Sequence, residues 1–158
     1  MVRLILITAL LSLFALTATA DDHADHAAST AAPPVPMEAP PAGAKVSFGN
    51  LADGATVQSP LTVQMVAVGM AVQPAGELKA GTGHHHIIVD GGPMNAGDFV
   101  PKDATHIHFG DGSTTATLNL TPGPHTLTLQ FADGLHRAYG PAMAATVKIN
   151  VTAPPPVR

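Results

Sequence analysis

Neither cysteine nor tryptophan occurs among the 158 residues. Without cysteine there can be no disulfide, no thiolate ligand and no structural zinc site of the cysteine type. Charge is sparse: 7 Lys and Arg stand against 11 Asp and Glu, for a formal net charge of −4. The few basic residues are scattered, so neither nucleic acid nor an anionic membrane surface is an expected partner. No window carries a convincing helical period, and no stretch reads as a phosphate loop or a catalytic nucleophile. A reaction therefore cannot be assigned from a motif. Histidine is plentiful instead, with nine in the chain. Five of them fall in Gly83-His84-His85-His86 and His106-Ile107-His108. Imidazole is the commonest metal ligand and the side chain that ordinarily titrates near neutral pH.

The apolar run Leu4 to Leu16 is too short to span a bilayer comfortably. With Arg3 before it and Ala18-Thr19-Ala20 after it, residues 1–20 read as a cleavable export signal. A periplasmic or secreted protein with no membrane attachment after cleavage is expected. Residues 21–44 are rich in Ala, Pro, Asp and His without an apolar period. Such a composition buries too little surface to offset its ordering entropy and reads as a disordered linker. Residues 153–158 read as a second solvated end. Between them, residues 45–152 suit one domain with one core. Cleavage after Ala20 would expose Asp21-Asp22-His23, whose amine, amides and imidazole form a square-planar cage suited to Cu(II) or Ni(II).

The folded part reads as all-β. Gly and Pro punctuate it, and Val, Ile, Leu and Thr alternate with a period of two between them. Ala116, Leu118 and Leu120 share one face, with Thr115, Thr117 and Asn119 on the other. Leu127, Leu129 and Phe131 point inward, and Thr126, Thr128 and Gln130 outward. Ala145, Val147, Ile149 and Val151 repeat the pattern. Further strands are predicted at 45–48, 61–68, 86–89 and 105–109. Turns at Asp53-Gly54, Asp111-Gly112, Pro122-Gly123 and Asp133-Gly134 complete an immunoglobulin-like antiparallel β-sandwich. The alternative is a cupin-like barrel, which His-x-His and Pro-Gly-x-His also resemble. That barrel wants an acidic ligand shortly after His108, and Asp111 is the only candidate.

Strand parity sorts the histidines. Successive side chains alternate in direction, so His84 and His86 share a face and His85 opposes them. Ile87 and Val89 have the parity of His85, and Ile88 that of His86, so this strand reads as buried on both sides. His106 and His108 likewise form a pair. Two His-x-His pairs on neighbouring strands supply four nitrogens, a workable site for copper or zinc. No finger-type ligand spacing is present. His136, in the polar loop after Asp133-Gly134, is an auxiliary ligand candidate. His125 stands at a corner where sandwich domains often place a residue that bonds back to the backbone, so a structural role is expected. Met70, Met94 and Met143 fall in predicted loops. They are read either as soft ligands for Cu(I) or as fillers of irregular gaps.

Several segments together resemble a bacterial envelope family known only as domain of unknown function 4399. They are Val46-Ser47-Phe48, Asp53 through Pro60, Gly81 through His86, His106 through Thr114, and Pro122 through Leu127. The resemblance implies an exported small domain and brings no established activity. Ser113 departs from the pattern, where glutamine is expected. His106-Ile107-His108-Phe109-Gly110-Asp111 also resembles copper–zinc superoxide dismutases, although the cysteine pair of those enzymes is missing here.

The leading expectation is thus a periplasmic metal-binding protein, with copper or zinc on His84, His86, His106 and His108 and His136 as an auxiliary. The alternatives are a non-catalytic structural or adhesive envelope domain, a pH-responsive surface, and a dismutase-like enzyme.

Overall fold

A computed structural model describes residues 35–153 of the chain. The expected signal segment, Asp21-Asp22-His23 and the tail from Pro154 lie outside the described residues. Among the described residues nine strands form two sheets: β1 Lys45–Phe48, β2 Ala55–Gln58, β3 Leu61–Val68, β4 Ala71–Val72, β5 Thr82–Val89, β6 His106–His108, β7 Thr115–Leu118, β8 Gly123–Ala132 and β9 Ala144–Thr152. One single-turn 3-10 helix, Pro141–Met143, precedes β9. Among the described residues no helix is long and apolar enough to cross a membrane.

One sheet has the order β1-β3-β7. The other runs β2-β9-β8-β5-β4, with β6 also paired to β5. The all-β expectation holds, with two departures from a purely antiparallel arrangement. β2 runs parallel to β9, and β4 runs parallel to β5. Both are short strands laid along an edge, and neither was predicted from the sequence. Four and two residues are too few to display an alternation.

The core lies between the sheets. Val63 and Met65 of β3 face Ile87 of β5, Leu127, Leu129 and Phe131 of β8, and Val147, Ile149 and Val151 of β9. These are the positions expected from period-two alternation, and burying a side chain of this size contributes about 1.5–3 kcal/mol. Met70 and Met143 belong to this core as well. The Tyr139 hydroxyl donates to the Thr82 carbonyl at 2.8 Å, tying the segment before β9 to the start of β5.

The two outer faces differ. On β3, Thr62, Gln64 and Val66 are exposed, as an outward face should be. On β8 the expected outward residues Thr128 and Gln130 are fully buried, which corrects the simple inside-and-outside reading. The connection between β5 and β6 runs over this face. The Thr128 hydroxyl donates to the Gly91 carbonyl, and Gln130 Oε1 accepts from the Met94 amide. Gln130 Nε2 donates to the carbonyls of Gly140 and Met143. A smaller cluster of Val100, Ala132 and Ala138, with Met94 against it, fills the space beneath. Residues 35–44, read by composition as linker, also rest on the domain. Met37 packs on the core, and the Val35 carbonyl accepts from Arg137 at 2.6 Å.

Candidate metal centre

The covered outer face carries the histidines. β5 pairs with β8 so that His84 opposes Ala132 and His86 opposes Gln130. On the other side of β5, His86 lies directly across from His108 of β6. His84, His86 and His108 therefore share one face by strand parity. Glycine makes room for this at two points. A Cβ on Gly83 would strike the Ala132 carbonyl and stand 2.6 Å from a Phe131 ring carbon, so only glycine lets β5 lie this close to β8. A Cβ on Gly110 would run into the His108 ring.

His136 arrives from the loop after β8. Asp133, itself buried, organises that loop. Its carboxylate accepts from the amides of Leu135 and Arg137 at 2.9 Å each and from Arg137 Nε at 2.7 Å. His136 is held at φ 68°, an uncommon conformation for a residue with a side chain. The cost is met by the surrounding structure, since the His136 carbonyl accepts from the Val100 amide and Phe99 pairs with Arg137. The result places His136 Nε2 3.0 Å from His108 Nε2.

Four rings consequently converge. His84 and His86 approach Nε2 to Nε2 at 2.9 Å. Ring centroids are 5.0 Å apart for His84 and His108, 4.9 Å for His84 and His136, and 5.0 Å for His86 and His108. One nitrogen from each of His84, His86 and His108 lies within 4.8 Å of the others, so these three can hold a metal ion. His136 joins them through His108.

His106 lies on the same face but apart from the group. It opposes Ile88, two residues further along the ladder, which is about 7 Å at the usual strand rise. Its Nδ1 sits 2.8 Å from Asp103 Oδ1, and that oxygen also accepts from the Thr105 and His106 amides. The expected His106/His108 pair is thus divided, and His136 occupies the place on the group that parity gave to His106. His85 points into the core, edge-on to Phe131 with centroids 5.0 Å apart. His125 takes the structural corner: Nδ1 is 2.9 Å from Asp90 Oδ2, and Nε2 is 2.9 Å from the Thr121 carbonyl four residues upstream.

Burial sets the protonation of the group. Desolvation, with His136 and His108 nearby, lowers His84 from 6.5 to about 4, against a smaller opposing pull from Asp133. Desolvation, followed by the other imidazoles, lowers His86 to about 2. His108 is lowered by desolvation, then by His136 and Lys102. At neutral pH these rings are neutral, which is the form that binds metal. The Nδ1 atoms of His84 and His86 are buried without a hydrogen-bond partner. Each such group costs about 1–3 kcal/mol, so the chain carries a local penalty in bringing these rings together.

The donor set is all imidazole, which suits zinc, copper, nickel or iron and not the oxygen-seeking magnesium or calcium. With metal–nitrogen bonds of about 2.0–2.1 Å, adjacent nitrogens stand about 2.9 Å apart on a square and about 3.3 Å apart on a tetrahedron. The two Nε2 pairs at 2.9 and 3.0 Å lie near these separations. Within each of these two pairs an ion could stand where a proton is now shared, while His86 and His136 remain further apart, with ring centroids at 5.9 Å. On one side the group opens to a cleft of about 400 Å³ lined by His86, Val100, Pro101, Lys102, His108 and His136.

Fold and site together define an all-β two-sheet domain with a histidine cluster able to hold a metal, set on the covered outer face of its larger sheet. By sequence comparison, residues 63–152 match the family model described as Domain of unknown function (DUF4399), and the chain belongs to that family. The matched span contains all four converging histidines. Neither the curated proteins nor the solved structures gave a match.

Proposed function

We propose that this is an exported, periplasmic copper-binding protein whose ion is held by His84, His86, His108 and His136. The convergence of four imidazoles from β5, β6 and the loop after β8 carries the reading. His125 and His106, by contrast, each settle on a neighbouring carboxylate. Copper is favoured over zinc because Cu(II) stands highest in affinity for nitrogen donors and accepts near-square geometry. Export rests on Arg3, the Leu4 to Leu16 run and Ala18-Thr19-Ala20.

The dismutase reading loses support because the two histidines of its motif part company, with His106 on Asp103. A pH-responsive surface is also disfavoured. Burial keeps His84 and His86 neutral well below 6.5, so the cluster does not charge as a unit in mild acid.

Calorimetric titration of the chain from residue 21 with Cu(II), Cu(I) and Zn(II) tests the proposal. A His108→Ala/His136→Ala variant is expected to bind copper at least about 100-fold more weakly. A His23→Ala/His26→Ala variant is expected to keep the site. Equal affinity in the first variant removes the proposal.

A further inference from the structure

The cleft beside the histidines is more than a way in for the ion. Three of the four rings, His86, His108 and His136, form part of its wall, whereas His84 does not. An ion held by the group is thus enclosed on the His84 side and approachable from the cleft. A metal site with a face left open to a cavity is the arrangement that admits an exogenous ligand.

Charge decides which ligand. Every donor is neutral, so nothing in the ligand set offsets the charge of a divalent ion. Among the described residues no carboxylate lines the cleft. The nearby acids are engaged elsewhere: Asp103 with His106 and Thr105, Asp111 with Ser113, and Asp133 with Arg137. The one charged residue in the wall is Lys102, which makes no ion pair or hydrogen bond among the described residues. Val100 and Pro101 supply apolar wall on the same side. A loaded site therefore offers a metal charge and an ammonium to one water-accessible space with no carboxylate in its wall.

We propose that this cleft is a binding site for a small anion, which coordinates the metal held by the histidines and is met by the Lys102 ammonium. The inference rests on the metal-binding reading and names the ligand class of the same site. The space is ample, since a water molecule occupies about 30 Å³ against about 400 Å³ in the cleft. A small inorganic anion or the carboxylate of a small organic acid both fit this chemistry.

The test uses the copper-loaded chain from residue 21, with bound copper measured first on every sample. Sodium azide, and acetate in a parallel arm, are titrated at constant ionic strength while visible absorption and electron paramagnetic resonance of Cu(II) are followed. Wild type should show a saturable new azide–copper band. Lys102→Met should bind azide about two- to fivefold more weakly, the range of a partly exposed charge interaction, and Lys102→Arg should restore most of the difference. Saturable change with azide alone assigns the cleft to small inorganic anions; a matching response to acetate extends it to carboxylates. Bound copper whose spectrum neither anion alters overturns the inference and leaves the copper reading standing. Equal azide affinity in wild type and Lys102→Met overturns the two-point site. Failure to bind copper at all overturns both.

Discussion

Replacing Gly110 with alanine should separate the metal site from the fold. The added Cβ would overlap the His108 ring, falling 3.1 Å from Nδ1 and closer still to Cε1 and Nε2. These ring atoms are the nearest obstacles, and His108 is exposed on the cleft side. Gly110 is not at positive φ, so alanine meets no backbone strain there. The ring can swing away. The cost to stability should stay within about 0.5–1 kcal/mol, since alanine also restricts the unfolded chain. The cost to binding should be much larger, because the swing removes one of the four proposed ligands. Affinity should fall at least about 10- to 100-fold, the range seen when a ligand merely loses its orienting partner.

Gly83→Ala provides the contrast. There the new Cβ meets the Ala132 carbonyl and the buried Phe131 ring, neither of which can move aside. Overpacking of this kind costs about 1–3 kcal/mol. Thermal unfolding and copper titration of both variants should therefore give opposite profiles. If Gly110→Ala bound copper like wild type, His108 would not be a ligand in the observed rotamer. If it unfolded as readily as Gly83→Ala, the reasoning that the ring is free to leave would be refuted.

Three further outcomes are expected. His85 is fully buried in the core with neither ring nitrogen partnered, so His85→Leu should raise stability by about 1–3 kcal/mol and leave copper affinity intact; a lower melting temperature would contradict this. In the metal-free protein, desolvation lowers His84 and His85 to about 4 and His86 to about 2 from 6.5. Between those values the unfolded chain binds more protons, so stability should fall as pH drops below 6.5, by about 1.4 kcal/mol per pH unit for each such ring. Chemical denaturation at pH 7, 6 and 5 checks the slope, and a flat profile would refute it. His125 is raised overall: burial alone would lower it, but hydrogen bonds to Asp90 and the Thr121 carbonyl, with the Asp90 charge, outweigh that effect. Its contribution is present below 6.5 and lost as pH rises through the raised value. Asp90→Asn, which tolerates the φ of 58° at that position, should lower the His125 titration midpoint followed by NMR.

The architecture was legible where alternation is long. β3 was predicted with its observed bounds, and the inward set Leu127, Leu129 and Phe131 is fully buried. Parity alone separates His85 from His84 and His86. Two things were not legible. Thr128 and Gln130 look like solvent-facing residues, and the β5–β6 connection together with the segment before β9 buries them. The pairing of His106 with His108 was sound as parity but silent on rotamer and neighbours. The Asx-type turn at Asp103 captures the first ring, and a turn residue three positions upstream is a local signal that could have been weighed. His136 depended on partners distant in sequence, the Val100 amide on its carbonyl and the bridge between Phe99 and Arg137, which hold its loop across the sheet and which periodicity does not encode.

The placement of the site explains how the fold can hold unpaired imidazoles. β5 is a partition: Ile87 faces the core between the sheets, and His84 and His86 face the covered outer surface. The main core, with the unpaired His85 within it, keeps its packing on one side of that strand, while the polar penalty of the cluster falls on the other. There the neighbours are loops pinned by Asp133, Gln130 and Thr128. Elements that can shift locally need not unfold the domain when they do. Binding energy from an ion then stabilises the outer layer first. Metal should protect the amides of His136 and Val100 from hydrogen exchange more than those of Leu127 and Leu129, whose protection already reports global unfolding. Uniform protection would mean that the layer and the core open together, and the partition would be structural only.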